Sequence, residues 1–194
     1  EIARVIDAAG ASWLERSGRQ QEENSNSTIS KLPIGPRSIV ADVGAGTGYY
    51  TFRIAEKVPE GKVYAVDIQD EFIGRLNARK KEMNAGNVEV IKGSERSPNL
   101  PPASTDVIIM VDVYHELLYP HEMLQAMHRA LKPSGKLLLI EYKAEDPDVA
   151  IRPLHKMSVA QANKELSANG FNLVKRDDSL PIQHFLLFEK KPMQ

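Results

Sequence analysis

The stretch Ser38-Ile39-Val40-Ala41-Asp42-Val43-Gly44-Ala45-Gly46-Thr47-Gly48 decides how this chain is read. Ser38 to Val43 are too continuously apolar for a half-exposed strand and predict one covered on both faces, the central strand of a parallel sheet. That strand runs straight into three glycines. In an open parallel sheet, small ligands bind outside the carboxyl ends of the strands where the winding reverses, and the turn after this strand lies there. The glycines are spaced two and two, one residue short of the G-x-G-x-x-G spacing of a dinucleotide loop. Asp67 ends the next apolar run, Lys62 to Ile68, about 20 residues beyond the loop, where a carboxylate accepts both hydroxyls of a ribose. That acid fits any adenosine cofactor.

Working outward, strand-length apolar runs alternate with amphipathic stretches, the pattern of one α/β domain. A helix is expected from Thr47 to Val58, stopped by Pro59-Glu60-Gly61, and another from Glu71 to Asn84. Asn87–Lys92 reads as the third strand, Thr105–Asp112 as the fourth and Lys136–Tyr142 as the fifth. Gly93 to Ser104 is too broken by proline for a long helix. A helix around Glu116 to Leu131, interrupted near Pro120, ends at the turn Lys132-Pro133-Ser134-Gly135. Ser158 caps a last helix reaching Asn169-Gly170. Phe171–Lys175 and His184–Glu189 are strands joined by a short loop, and parallel strands need a crossover of a dozen or more residues, so this pair is antiparallel. Residues 1–35 read as an N-terminal helical cap over the sheet's edge or pocket, with a stripe of Ile2, Val5, Ile6, Ala9, Trp13 and Leu14, Trp13 as its core anchor, and a loop at Asn24-Ser25-Asn26-Ser27. Residues 36–194 form the main compact unit.

The chain has 194 residues, 42% apolar and 26% charged, which is ordinary globular composition for one domain. Its 25 Lys+Arg nearly cancel 26 Asp+Glu, leaving a formal charge of -1. A protein that lives on duplex nucleic acid or an anionic membrane is basic, so neither partner is expected. Arg75, Arg79, Lys80 and Lys81 read as a solvated helix face rather than a nucleic-acid groove. No cysteine is present, which removes disulfides, thiolate metal sites and a Cys nucleophile and suits the reducing cytoplasm. No run of 18 apolar residues predicts a membrane span. The chain opens at Glu1 rather than Met, so a trimmed leader stays open.

The residues resemble the class I S-adenosylmethionine-dependent methyltransferases. The resemblance rests on Asp42-Val43-Gly44-Ala45-Gly46-Thr47-Gly48, Val66-Asp67, Asp106 opening the fourth strand, Leu131-Lys132-Pro133-Ser134-Gly135-Lys136, and the closing hairpin, and spans about residues 36 to 190. It implies a Rossmann-like, doubly wound seven-stranded sheet of order 3-2-1-4-5-7-6 with strand seven antiparallel. It also implies S-adenosyl-L-methionine as cofactor and S-adenosyl-L-homocysteine as product. By resemblance, the glycine loop (Asp42, Gly44, Ala45, Gly46, Gly48, with Tyr49 beside it) approaches the methionine part. Asp67 holds the ribose hydroxyls, Ile68 beside it adds a cofactor contact, and Asp112 adds another at the end of the fourth strand. The turn after strand three lines the adenine; where many family members carry an acid directly after its glycine, this chain has Ser94 and then Glu95, either of which makes the contact.

The acceptor would sit at the same sheet edge, where four strand or helix ends converge: Tyr114-His115-Glu116, Glu141-Tyr142, His155-Lys156-Met157 and Gln183-His184. His115 is the candidate catalytic base for an acceptor that must lose a proton. Tyr114, Glu141, Tyr142, His155 and His184 are candidate acceptor contacts. No metal is expected, because the histidines lie far apart in sequence without zinc-helix spacing. His121 and His128 are read as solvated. The fourth strand is not followed by the Asn/Asp-Pro-Pro-aromatic run of amino-methylating nucleic-acid enzymes, so a small-molecule acceptor is expected. The expectation is therefore an S-adenosylmethionine-dependent methyltransferase; a non-catalytic accessory or sensor binding that cofactor is the alternative, and a nicotinamide-dependent oxidoreductase, disfavoured by the glycine spacing, a more distant one.

Overall fold

The computed structural model describes residues 2–6 and 8–191; the last residues of the expected main unit, 192–194, lie outside them. Helices α1 (Ala11–Leu14), α2 (Arg19–Glu23) and α3 (Ser25–Ser30) precede the sheet. Strands β1 (Ile39–Val43), β2 (Lys62–Asp67) and β3 (Val88–Lys92) alternate with α4 (Tyr49–Ala55) and α5 (Asp70–Glu82). Then come β4 (Thr105–Val111), α6 (Pro120–Ala130), β5 (Leu131–Lys143), β6 (Lys156–Met157), α7 (Val159–Ala168), β7 (Phe171–Asp177) and β8 (Gln183–Lys190). The strand order is β3-β2-β1-β4-β5-β8-β7, with β6 attached to β5. β8 is antiparallel to both of its neighbours. This is the expected winding with one strand more.

Alternation along the strands builds two cores. Leu138 and Ile140 of β5 join Val40, Phe52 and Ile54 on the face covered by α4, while Leu137 and Leu139 join Met123, Leu124, Met127 and Leu166 on the face covered by α6 and α7. Side chains of successive strand residues point to opposite faces, so a strand covered twice is expected to be apolar at every position; β5 is buried throughout from Leu137 to Tyr142, and Glu141 is the one acid in that buried run.

Several local expectations change. Asn24–Ser27 is not a loop: Ser25–Ser30 forms α3, because the hydroxyl of Ser25 finds partners inside the protein, Gln20 Oε1 at 2.6 Å and the Tyr49 hydroxyl at 2.9 Å. The apolar stripe at the N-terminus is not one helix; it breaks into an irregular stretch, a 3-10 turn Ala8–Gly10 and the short α1. Trp13 is exposed rather than a core anchor, stacked under the Arg16 guanidinium. The expected helix from Glu116 divides into a 3-10 turn, Tyr114–Glu116, and α6, which starts at Pro120 because proline is suited to the first helical position. The turn Lys132–Gly135 lies within β5 as an irregularity: Thr105 pairs with Leu131 and Val107 with Lys136, so the extra residues bulge from the ladder. His128 is buried, with its ring on Phe171 and Nε2 at 3.1 Å from the Lys191 carbonyl. Arg79 leaves the solvated face to bond Glu15 at 2.8 Å and the Thr47 carbonyl at 3.1 Å.

β6 is short but decides the site. At Tyr142 the strand β5 already pairs with Gln183 of β8 on one edge, so β6, which pairs with Tyr142 and Lys143, occupies the edge that β4 vacates after Val111. The chain before β6 is thereby brought beside the chain after β4. Among the described residues no helix is long and apolar enough to cross a membrane.

Leu139 is fully buried in the core under α6 and α7. Leu139→Ala should lower stability by about 2–5 kcal/mol, read as a fall in the urea midpoint at unchanged slope.

Candidate active site

A cavity of about 580 Å³ opens at the carboxyl ends of β1, β2 and β4, a volume within the usual range for small-ligand sites. Its floor includes Gly44, Gly46, Asp67 and Asp112, and its roof comes from the N-terminal segment, with Val5, Ile6, Trp13 and Leu14.

The glycine loop is held by its neighbours' backbone. Gly44 and Ala45 donate their N–H groups to the Val66 carbonyl, both at 2.9 Å. Gly48 has φ +82°, and a Cβ there would lie 2.5 Å from the Phe52 ring, so both the backbone conformation and the space demand glycine. Asp67 is nearly buried; Oδ2 accepts the Gly46 N–H at 2.8 Å and Oδ1 the Gln69 N–H at 2.9 Å. Burial pushes its carboxyl up, and these backbone donors oppose the rise. Each oxygen keeps a further acceptor position. Ile68, Ser94 and Glu95 also line the cavity.

At the end of β4, Asp112 adopts φ 55° and its Oδ2 accepts a hydrogen bond from Gln183 Nε2 at 2.7 Å. Its Oδ1 is buried without a partner. Burial, and then the charges of Glu23 and Glu141, hold this carboxyl well above the usual range. Glu23, which no sequence signal beyond the i,i+4 spacing with Arg19 marked, is fully buried on the cavity wall. It accepts from Arg16 at 2.7 Å, from Arg19 at 2.8 Å and from the Tyr142 hydroxyl at 3.0 Å. Glu15 accepts from Thr47 at 2.6 Å and from Arg79, tying the N-terminal segment to the glycine loop.

The acceptor-side residues divide. His115, Tyr142 and His155 line the cavity, together with Glu116. Glu141 stands behind them: Oε1 accepts the Tyr114 N–H at 2.8 Å, and Oε2 lies 2.5 Å from His115 Nδ1. His115 Nε2 lies 3.1 Å from His155 Nδ1. Burial alone would lower the His115 value, but the hydrogen bond and charge of Glu141 hold it above the ordinary histidine range. Burial and the charges of His115 and Arg152 hold His155 below it. Burial pushes Glu116 up to about 7.

Other candidates point elsewhere. The Tyr114 hydroxyl donates to Glu165 of α7 at 2.8 Å, away from the cavity, because its ring is anchored in the core beneath α6 and α7. His184 is buried with Nε2 at 2.8 Å from Glu145, since β8 turns it from the cavity lining. Tyr49 bonds Ser25 and lies under Arg19 and Arg53, supporting the roof rather than lining the site. Asp42, Ala45 and Gly48 are not among the residues that line the cavity, and Asp42 accepts from the Thr51 hydroxyl at 2.6 Å.

A methyltransferase domain model matches residues 41–137, half of the chain, and the chain belongs to the class I S-adenosylmethionine-dependent methyltransferase family. It is 31% identical over 118 residues to the ubiquinone/menaquinone biosynthesis C-methyltransferase UbiE of Ectopseudomonas mendocina, covering 59% of this chain and 46% of that protein. It is 33% identical over 121 residues to the tRNA U34 carboxymethyltransferase of Helicobacter pylori, covering 59% and 45%. The chain thus spans about half the length of these curated relatives. The crystal structure of a SAM-dependent methyltransferase from Aquifex aeolicus superposes with a TM-score of 0.90 at 25% identity, over 96% of this chain and 100% of that one. The sheet is the Rossmann-like methyltransferase fold, with β6 as an eighth strand.

Asp42 is fully buried, and burial raises its carboxyl from 3.8 to about 6, against the opposing Thr51 hydrogen bond. A raised folded-state value means that the fold gains protons more readily than the unfolded chain, so stability is lost as pH climbs from about 4 to about 6. Asp42→Asn keeps the acceptor for Thr51 and removes the buried charge. The variant should exceed the parent by up to about 3 kcal/mol at pH 8, with the gap closing below pH 4 in thermal melts.

Proposed function

We propose that this protein transfers the methyl group of S-adenosylmethionine to a small-molecule acceptor held beneath the N-terminal segment. One observation carries the reading: the buried acid Asp67 and the half-buried Asp112, whose Oδ1 is itself shielded from water, face a roofed cavity on either side of a glycine loop, and a histidine backed by a carboxylate stands on the acceptor wall. The donor set fits the cofactor. Asp67 has acceptor positions left for ribose hydroxyls, and the orphaned Oδ1 of Asp112 meets the positive charge of the amino acid half. Ser94 and Glu95, in the turn after β3, line the same cavity as Ile68 and are the side chains that would meet the adenine edge.

When bound, the cofactor supplies an electrophilic methyl carbon on a sulfonium sulfur; attack by an acceptor lone pair breaks the carbon–sulfur bond and leaves a neutral thioether. The protein's part is alignment and exclusion of water, which the roof of Val5, Ile6, Trp13 and Leu14 provides. Glu141, fixed by the Tyr114 N–H, orients His115 so that Nδ1 carries the proton and Nε2 is left on the cavity wall beside His155 Nδ1. His115 is therefore the residue that acts on the acceptor, with Tyr142 and His155 beside it. The named relatives act on a quinone pathway and on tRNA and do not select an acceptor. A roofed cavity in a chain of formal charge -1 favours a small molecule.

S-adenosylhomocysteine at a hundredfold its Kd should stabilise the chain by about 2.7 kcal/mol, read as a rise in Tm, and Asp67→Ala should abolish the rise. Absence of any rise with the folded parent refutes the reading. His115→Gln should lower kcat at least about a hundredfold at unchanged S-adenosylhomocysteine affinity, measured with labelled cofactor on an acceptor found in metabolite extract. Binding with no labelled product across broad extracts would instead mark an accessory or sensor protein.

A further inference from the structure

The fold assembles a cluster that the sequence keeps apart. His115 and His155, 40 residues apart, meet at the cavity wall with Glu116 between them. One ligand atom from each of the three lies within 4.8 Å of the others. The separations are 3.1 Å between the two nitrogens and 3.9 Å from each nitrogen to Glu116 Oε1. Donors around a tetrahedral cation at about 2.0–2.2 Å stand roughly 3.3–3.6 Å apart, so a shift of the Glu116 carboxylate by about half an ångström completes the set.

The geometry points to a divalent transition-metal site formed by His115 Nε2, His155 Nδ1 and a Glu116 carboxylate oxygen, whose open position faces the cavity and takes an oxygen atom of the acceptor. The last clause rests on the methyl-transfer reading above; the metal site itself does not. Two imidazoles and one carboxylate suit zinc and its neighbours rather than magnesium or calcium, which prefer all-oxygen shells. Three protein ligands with one free position are the arrangement of a reactive site, whereas structural zinc is closed by four. Glu141 supplies what a metal-ligating histidine needs behind it. It holds the proton on Nδ1, leaves the Nε2 lone pair outward, and is itself fixed by the Tyr114 N–H. His155 is carried into place by β6, which lies directly after it. With the cation bound, the Nε2 lone pair of His115 is committed to it, so His115 acts on the acceptor through the metal: a hydroxyl, enol or phenol oxygen seated there would lose its proton to solvent more readily and so become nucleophilic.

The test uses the full chain after chelator treatment, titrated with Co²⁺ while the visible d–d absorption is followed. One Co²⁺ per chain should bind and be displaced by Zn²⁺. His155→Ala, a partly exposed position whose loss leaves the core intact, should weaken Co²⁺ binding at least tenfold, and Glu141→Gln by about 10–100-fold. His121→Ala, at an exposed histidine outside the cluster, should change nothing. Acetohydroxamate, an oxygen ligand, should alter the Co²⁺ spectrum. No stoichiometric Co²⁺ binding, or binding unchanged by His155→Ala, overturns the site; a spectrum indifferent to acetohydroxamate overturns the acceptor assignment. The S-adenosylhomocysteine melt on the same samples separates the two readings, because cobalt binding without cofactor binding refutes only the methyl-transfer proposal and the reverse result only the metal.

Discussion

The carboxyl edge of this sheet is organised around buried carboxylates. Glu23, Asp42, Asp67 and Glu141 are all removed from water within one small region, and each unpaired would cost several kcal/mol. Each is compensated differently: Glu23 by Arg16, Arg19 and a tyrosine hydroxyl, Asp42 by a threonine, Asp67 by backbone N–H groups, Glu141 by a backbone N–H and His115. Only at Asp67 do a glycine and the strand end bring backbone donors close enough to do this without side chains. Asp112 is left with one oxygen unsatisfied, and its carboxyl is held up by loss of water first and then by the charges of Glu23 and Glu141. The negative potential this creates favours a cationic ligand over an anionic one, which matches a sulfonium and its ammonium group better than a pyrophosphate.

The roof depends on the same charges. Glu23 and Arg19 open and close only the short helix α2, outside the sheet, yet they are as buried as the sheet residues because Tyr142 and the ring of Tyr49 close over them. The contact between Glu15, Thr47 and Arg79 fastens the roof to the glycine loop and to α5. Cofactor site and roof are therefore one electrostatic unit, and a change at Glu23 acts on both the wall of the cavity and the docking of the segment above it.

The acceptor side rests on pairing rather than charge. β5 runs beyond the end of β4, and the edge left free is taken by β6. That two-residue pairing places the 3-10 turn holding His155 against the one holding His115. A site built this way is sensitive to the register of β5, whose irregular start at Leu131–Gly135 is absorbed before the paired stretch begins at Lys136.

The sequence by itself determined the sheet's winding, the glycine turn and the acid at the end of β2, because continuous apolar runs, glycine spacing and strand-end acids are written over a few neighbouring residues. Serines with no apolar periodicity concealed α3, whose stability comes from partners on α4. Only the tertiary structure decided which of Tyr114, Glu141, His155 and His184 face the cavity, for strand alternation and the placement of β6 turn on pairing between distant segments. Glu23 and the His115–Glu116–His155 cluster were likewise settled by folding, since burial and convergence depend on contacts between residues far apart along the chain, which local spacing does not encode.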